Sequence, residues 1–234
     1  MAPHRVDPNV DYKRIHELSD EFTRLWERLQ AFYLDASAGF ASIQAQAVQD
    51  QKQMRTYVVG SDLDSEEFQD TLSFSYAQIF SDDFCTSGIH RATQGEVKAR
   101  NSPEGSNFTT LGQVCLVSFY DFWNDHLRRE YAIAKGTLRR DETDPGAENK
   151  ILREHASHDL WGDLRHLRQS IVHNQGVATS DVGRCKLIRW FSPGDTISIT
   201  PPHMQAIFLA LLTYRNELFM EQFPPHYIQI PSWP

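Results

Sequence analysis

Leu160, Leu164, Leu167 and Ile171 recur at spacings of four, three and four, the apolar stripe of an amphipathic helix. That pattern predicts a helix over 147–173, ending near His173 because Asn174 and Gly176 tolerate the left-handed backbone that closes helices. Upstream, Ile15, Leu18, Phe22, Leu25, Leu29 and Phe32 keep helical spacing with no proline between them. One long helix over 11–55 follows, and its Ala/Gln-rich part, Ala36–Gln53, suits close packing as a scaffold or a dimer arm. Ser65, with Glu66 and Glu67 behind it, predicts a capped helix running to about Phe80. Phe108–Ala134 is the most apolar segment, carrying Leu111, Val114, Cys115, Val117, Phe119, Phe122, Trp123 and Leu127, and is predicted to be the central core helix. Gly136 ends it, and the short polar link that follows predicts an antiparallel pairing with the 147–173 helix.

Asp82–Asn107 reads as a long loop, with Gly88, Gly95, Pro103 and Gly105 and little periodicity. After Gly176 the period changes. Cys185–Phe191 and Thr196–Thr200 are short β-branched and aromatic runs separated by Ser192-Pro193-Gly194-Asp195, which predicts a β-hairpin over 185–200. Thr200 followed by Pro201 and Pro202 predicts the start of a last helix over 201–222, and the Pro-rich tail 223–234 cannot be helical. The expected organisation is a single all-α domain over 1–234, an antiparallel helical bundle with one small hairpin before the last helix.

Composition changes this picture in two places. The chain of 234 residues carries a net charge of −8, which by itself argues against a nucleic-acid partner. The acidity is confined to residues 1–83, however, and the remainder is neutral with basic clusters at Arg128, Arg129, Lys135, Arg139 and Arg140 and at Arg184, Lys186 and Arg189. Cys85, Cys115 and Cys185 are odd in number, widely spaced and outside any CxxC pattern, as expected of reduced thiols. No run has the apolar length of a membrane span, and the N-terminus lacks the apolar segment of a signal peptide, so a cytoplasmic chain without a membrane partner is expected.

Several chemistries lack their residues. His155 and His158 form an HxxH, but no partner cysteine or HExxH accompanies them, and no metal or cofactor is predicted. There is no Gly-rich phosphate loop and no GxSxG. Asp159 and Asp163 read as caps or solvated positions. What remains is Arg168 and His173 at the end of the amphipathic helix, a permanently charged fork beside a titratable imidazole, suited to binding and processing a phosphate.

The residues around that pair have a recognisable form. LRQSIVHNQG resembles the signature helix of the HEPN superfamily, an Arg followed after four to six residues by a His near the end of the penultimate helix of an α-helical bundle. The preceding YDFWNDHLRREYA and following KLIRWFSPGDTISIT also look like prokaryotic members, so the resemblance covers residues 108–222 and, more loosely, the chain. The position after the motif Arg, often Asn, Asp or His in that family, is Gln169 here. The resemblance implies a metal-independent endoribonuclease acting on RNA as a homodimer, with two Arg–His pairs in one cleft. Its expected setting is a toxin or antiphage effector with a neutralising antitoxin or defence partner. The alternative is a non-catalytic module of the same fold, either binding nucleotide or RNA or serving as an interaction module in which the two residues knit a dimer interface.

The residue chemistry fits such a reaction. RNA carries its own nucleophile, the 2′-hydroxyl, and its cleavage needs a proton acceptor and stabilisation of charge at phosphorus. His173 and Arg168 are the expected catalytic residues in those roles. Arg165, Gln169, Asn174, Arg128 and Arg129 are the expected substrate contacts. Five residues on an ideal helix turn through about 500°, which leaves Arg168 and His173 roughly 140° apart. On this reading they converge poorly within one helix, an expectation that favours a site shared between two protomers.

Overall fold

A continuous apolar stripe lets a helix run as long as it stays buried on one side, and the first helix shows this at length. In the computed structural model, which describes residues 7–57, 62–74 and 92–220, α1 spans Tyr12–Tyr57 as its spacing predicts. The described residues are all-α in class and contain no β-strand. Ser65 caps α2 (Glu66–Asp70) by accepting from the Phe68 N–H, but the helix stops at Thr71, well short of Phe80. The chain leaves it to bond with a neighbour: Phe74 N–H donates to Ala92 O and Gln94 N–H to Leu72 O. Residues 75–91 lie outside the described residues, and within the expected loop, 94–100 are helical while 101–105 form the turn that its Pro103 and Gly105 suggest. Thr93 and Glu96 form a reciprocal capping box that opens α3 (Gln94–Arg100).

The apolar core segment runs through α4 (Ser106–Phe122), a single π-helical turn at Trp123–Leu127, and α5 (Arg128–Ala134). Gly136 ends it at φ 69°, where a Cβ would stand 2.6 Å from Asn9 O. The helix expected over 147–173 is in fact two. After α6 (Pro145–His155) the backbone breaks at Ala156, and His158 caps α7 (Asp159–His173) by accepting the Leu160 N–H at its Nδ1. The break survives because Arg128 Nε donates to Ala156 O at 3.0 Å.

The hairpin over 185–200 does not form among the described residues. The Ser192–Asp195 turn is present, with Gly194 at φ 94° and a Ser192 N–H bond to the Asp195 carboxylate. Yet the strand after it pairs with the helix-exit segment instead: Ile197 N–H donates to Gly176 O, Ala178 N–H to Asp195 O, and Gly194 N–H to Ala178 O. Segment 186–188 is taken elsewhere by the buried Asp163, whose carboxylate accepts the N–H groups of Lys186, Leu187 and Ile188 at 2.7–2.9 Å. A backbone run whose donors are committed to a side chain cannot also donate to a ladder. The last helix, α8 (Pro201–Arg215), passes into a π turn at Asn216–Met220; residues 221–222 of its expected range and the tail 223–234 lie outside the described residues.

The chain packs as two compact units, a division the sequence pattern does not signal. Among the described residues, one comprises 7–31, 113–198 and 202–220. Its core stacks Trp123 on Trp161 at 4.8 Å and nearly parallel, with Tyr214 edge-on to both. Ile15, Leu18 and Phe22 of α1, Leu160, Leu164 and Leu167 of α7, and Leu211 of α8 complete it. The other unit, described residues 32–57, 62–74, 92–112 and 199–201, buries Ala47, Phe74, Ala92 and Val97 together. Lys98 bridges Glu66 and Asp70 there, and Gly112 lies so close to Ile199 that a Cβ would meet its side chain at 2.4 Å. Cys115 and Cys185 are free, buried thiols, pushed up to about 11 and about 12 by burial, while Cys85 lies outside the described residues.

Asp163→Ala tests the anchoring of segment 186–188. It strands three backbone donors and is expected to cost about 2–4 kcal/mol, read as a lowered urea midpoint with an unchanged slope. A midpoint equal to wild type contradicts the anchoring role.

Candidate functional site

Burial of Leu160, Leu164 and Leu167 fixes the rotation of α7 about its own axis, and that rotation decides where its charged residues emerge. Arg168 emerges toward α4, where Nε donates to Asp121 Oδ1 at 3.1 Å. Its Nη1 stands 3.2 Å from His173 Nε2. The two motif residues therefore meet on a single helix, contrary to the expectation that they converge poorly. The angular offset is real, but five residues rise only about 7.5 Å. A guanidinium arm crosses that distance once its Nε is held by Asp121. A guanidinium only donates, so in this contact His173 Nε2 is the acceptor.

The helix end that carries His173 is tied down by one buried hydroxyl. Ser170 Oγ donates to His166 O, accepts from Thr179 N–H, and lies 3.2 Å from Thr179 Oγ1. Ser170 O accepts from both Asn174 and Gly176 N–H groups. Gln175 (φ 52°) and Gly176 (φ 77°), rather than Asn174, take the left-handed conformation. Asn174 is committed to this turn through Nδ2 to Val177 O at 2.7 Å, and the structure does not join it to His173. Gln169 is exposed one residue beyond Arg168.

The basic cluster read between 128 and 140 is not one surface. Arg129 pairs with Glu148 and reaches Arg140 O, Arg139 pairs with Asp141, Arg140 with Glu130, and Lys135 stands over the Tyr131 ring. Likewise Arg184 pairs with Asp181 and Lys186 with Asp159. Arg128 and Arg165 separate from these and share a cleft of about 780 Å³ formed within one unit by α4, the π turn, the α6–α7 break and α7. Tyr120 lines the same cleft. Burial pushes its phenol up, and the charges of Arg165, Arg128 and Arg168 oppose that shift. Arg153, Tyr120 and Asp121 are the residues sequence reasoning missed. Asp121 and Tyr120 were readable only as polar interruptions in the most apolar helix, and Arg153 as one more solvated charge.

Comparison of the chain with protein-family models, curated proteins and solved structures gives no match.

His166, half-buried on the cleft wall, is pushed below the usual imidazole range first by burial and then by the charge of Arg165. A base whose folded pKa is depressed binds fewer protons folded than unfolded, so its contribution opposes folding as pH falls from about 6.5 through the folded value. A two-dimensional NMR titration should place the His166 midpoint below that of a model imidazole, and Arg165→Gln should move it upward. A midpoint at or above the unperturbed value contradicts the assignment.

Proposed function

We propose that the chain is a HEPN-like, metal-independent endoribonuclease. The observation that carries this reading is the Arg168–His173 contact at the end of α7, braced by Asp121. His173 Nε2 is an acceptor in the hydrogen bond it already makes, which is the state a general base requires. With RNA in place, Nε2 exchanges the guanidinium for the 2′-hydroxyl and takes its proton. The freed oxygen attacks phosphorus, the bond to the 5′-oxygen breaks, and that oxygen leaves with a proton from the second His of a homodimer. The products are a 2′,3′-cyclic phosphate and a 5′-hydroxyl. Arg168, still oriented through Nε by Asp121, turns its Nη groups to the phosphorane oxygens.

The convergence within one protomer removes the geometric argument for dimerisation, so the two-fold dimer now rests on the resemblance and on the need for a proton donor opposite the base. The effector setting, toxin or antiphage, and a neutralising partner rest on the resemblance alone. A second reading, a binding module that holds nucleotide or RNA without cutting it, is favoured by one observation. Arg168 Nη1 occupies the same His173 nitrogen that catalysis needs.

Incubation of total RNA with wild-type protein in EDTA separates the two. Cleavage is expected to persist in EDTA, to leave cyclic phosphate ends, and to fall by ~10²–10⁴ in Arg168→Ala and in His173→Ala. Cleavage that survives either substitution, or that vanishes on chelation, overturns the mechanism. RNA affinity without cleavage in wild type, lost in His173→Ala, selects the binding module.

A further inference from the structure

The cleft beside the motif pair holds positive charge that no carboxylate among the described residues pairs with. Arg128, Arg153 and Arg165 all line it, and among the described residues none of the three lies within ion-pair distance of a carboxylate. The two acids on its wall are already committed, Asp159 to Lys186 and Asp163 to the N–H groups of 186–188. Arg128 is the most constrained. One of its five donors is used on Ala156 O, its guanidinium is half-buried, and burial together with the charges of Arg165 and Arg153 pushes its pKa down. The cleft floor is the buried Trp123–Trp161 stack, an apolar surface that strengthens any electrostatic contact made above it.

Three like charges gathered over an apolar floor repel one another, and a fold keeps such an arrangement at a cost unless an anion relieves it. We propose that this cleft is a phosphate-binding site, separate from the Arg168–His173 pair, in which Arg153 and Arg165 clamp a phosphate group against Arg128. Planar guanidinium forks suit phosphate oxygens, to which they donate two parallel hydrogen bonds. The inference goes beyond the endoribonuclease reading and does not depend on RNA being cut. Two sources supply the same chemistry, the phosphate chain of a free nucleotide and a backbone phosphate of RNA.

The test measures binding by calorimetry on full-length His173→Ala protein, so that no ligand is consumed. The probes are inorganic pyrophosphate, ATP and a single-stranded RNA 12-mer, each with and without Arg153→Gln/Arg165→Gln. Both side chains make no hydrogen bond among the described residues, and an unchanged thermal melt checks that the double variant folds. At least one probe is expected to bind and to lose about tenfold or more in the double variant. For the 12-mer, the slope of log affinity against log salt should fall by about 1.4, two phosphate contacts at roughly 0.7 each. Loss shared by pyrophosphate and ATP identifies a free phosphorylated ligand, and loss confined to the 12-mer identifies the RNA backbone. Arg153→Lys/Arg165→Lys keeps the charge and should recover only part of the affinity, because the fork is gone. Equal affinity in wild-type and double-variant cleft overturns the proposal. So does binding of no probe, or complete loss of pyrophosphate and ATP binding in Arg168→Ala with the cleft intact. Failure of RNA cleavage alone leaves these outcomes readable.

Discussion

The rotation of α7 is the constraint on which the rest of this unit depends. Its apolar stripe, Leu160, Leu164 and Leu167 with Trp161 alongside, is buried, and a helix so fixed has no freedom in where its other residues emerge. Arg165 comes out into the cleft, Arg168 comes out against Asp121, and Asp163 turns inward to receive three backbone N–H groups. Stabilising the core and placing the charges are thus one event. A change that let α7 roll by a fraction of a turn would dismantle the anchor of segment 186–188 and the brace on Arg168 together.

Asp121 and Ser170 divide the work of holding the motif pair. Asp121 takes one nitrogen of Arg168 and so determines which nitrogens are left for His173 or for a phosphate. Ser170, fully buried, holds the peptide groups on either side of the helix exit, so the exposed His173 sits on a rigid end. The imidazole is thus exposed to solvent while its backbone is held. The π turn at Trp123–Leu127 serves the same unit from the other side. It directs Arg128 to the carbonyl freed at Ala156, so one arginine satisfies the helix break and contributes to the cleft.

The distribution of charge looks different once ion pairs are drawn. Much of the basic surface near residues 129–140 and 184–186 is neutralised locally, by Glu148, Asp141, Glu130, Asp181 and Asp159. Exposed pairs of this kind contribute little to stability, but they remove those residues from a uniform positive field. Among the described residues, Arg128, Arg153 and Arg165, which line one cleft, form no such pair. Net charge alone therefore does not describe where positive charge gathers on this acidic protein.

By itself the sequence determined the all-α class, the long first helix, the apolar core segment, the end of α7 at His173 and the motif pair, because each is written in periodicity or in adjacent turn residues. Thr93 and Glu96 also carried a legible capping box inside a stretch that its glycines and prolines made look like loop. Only tertiary structure decided the features that depend on a distant partner. The break before α7 rests on Arg128, 28 residues away from the Ala156 carbonyl it satisfies. The hairpin signal at 185–200 was outbid by Asp163, which claimed the donors of one strand, and by Gly176–Ala178, which paired with the other. The meeting of Arg168 with His173 required Asp121, and the convergence of Arg128, Arg153 and Arg165 required three separate helical segments. Periodicity reports which face of an element is buried, but not which carboxylate waits opposite each charge.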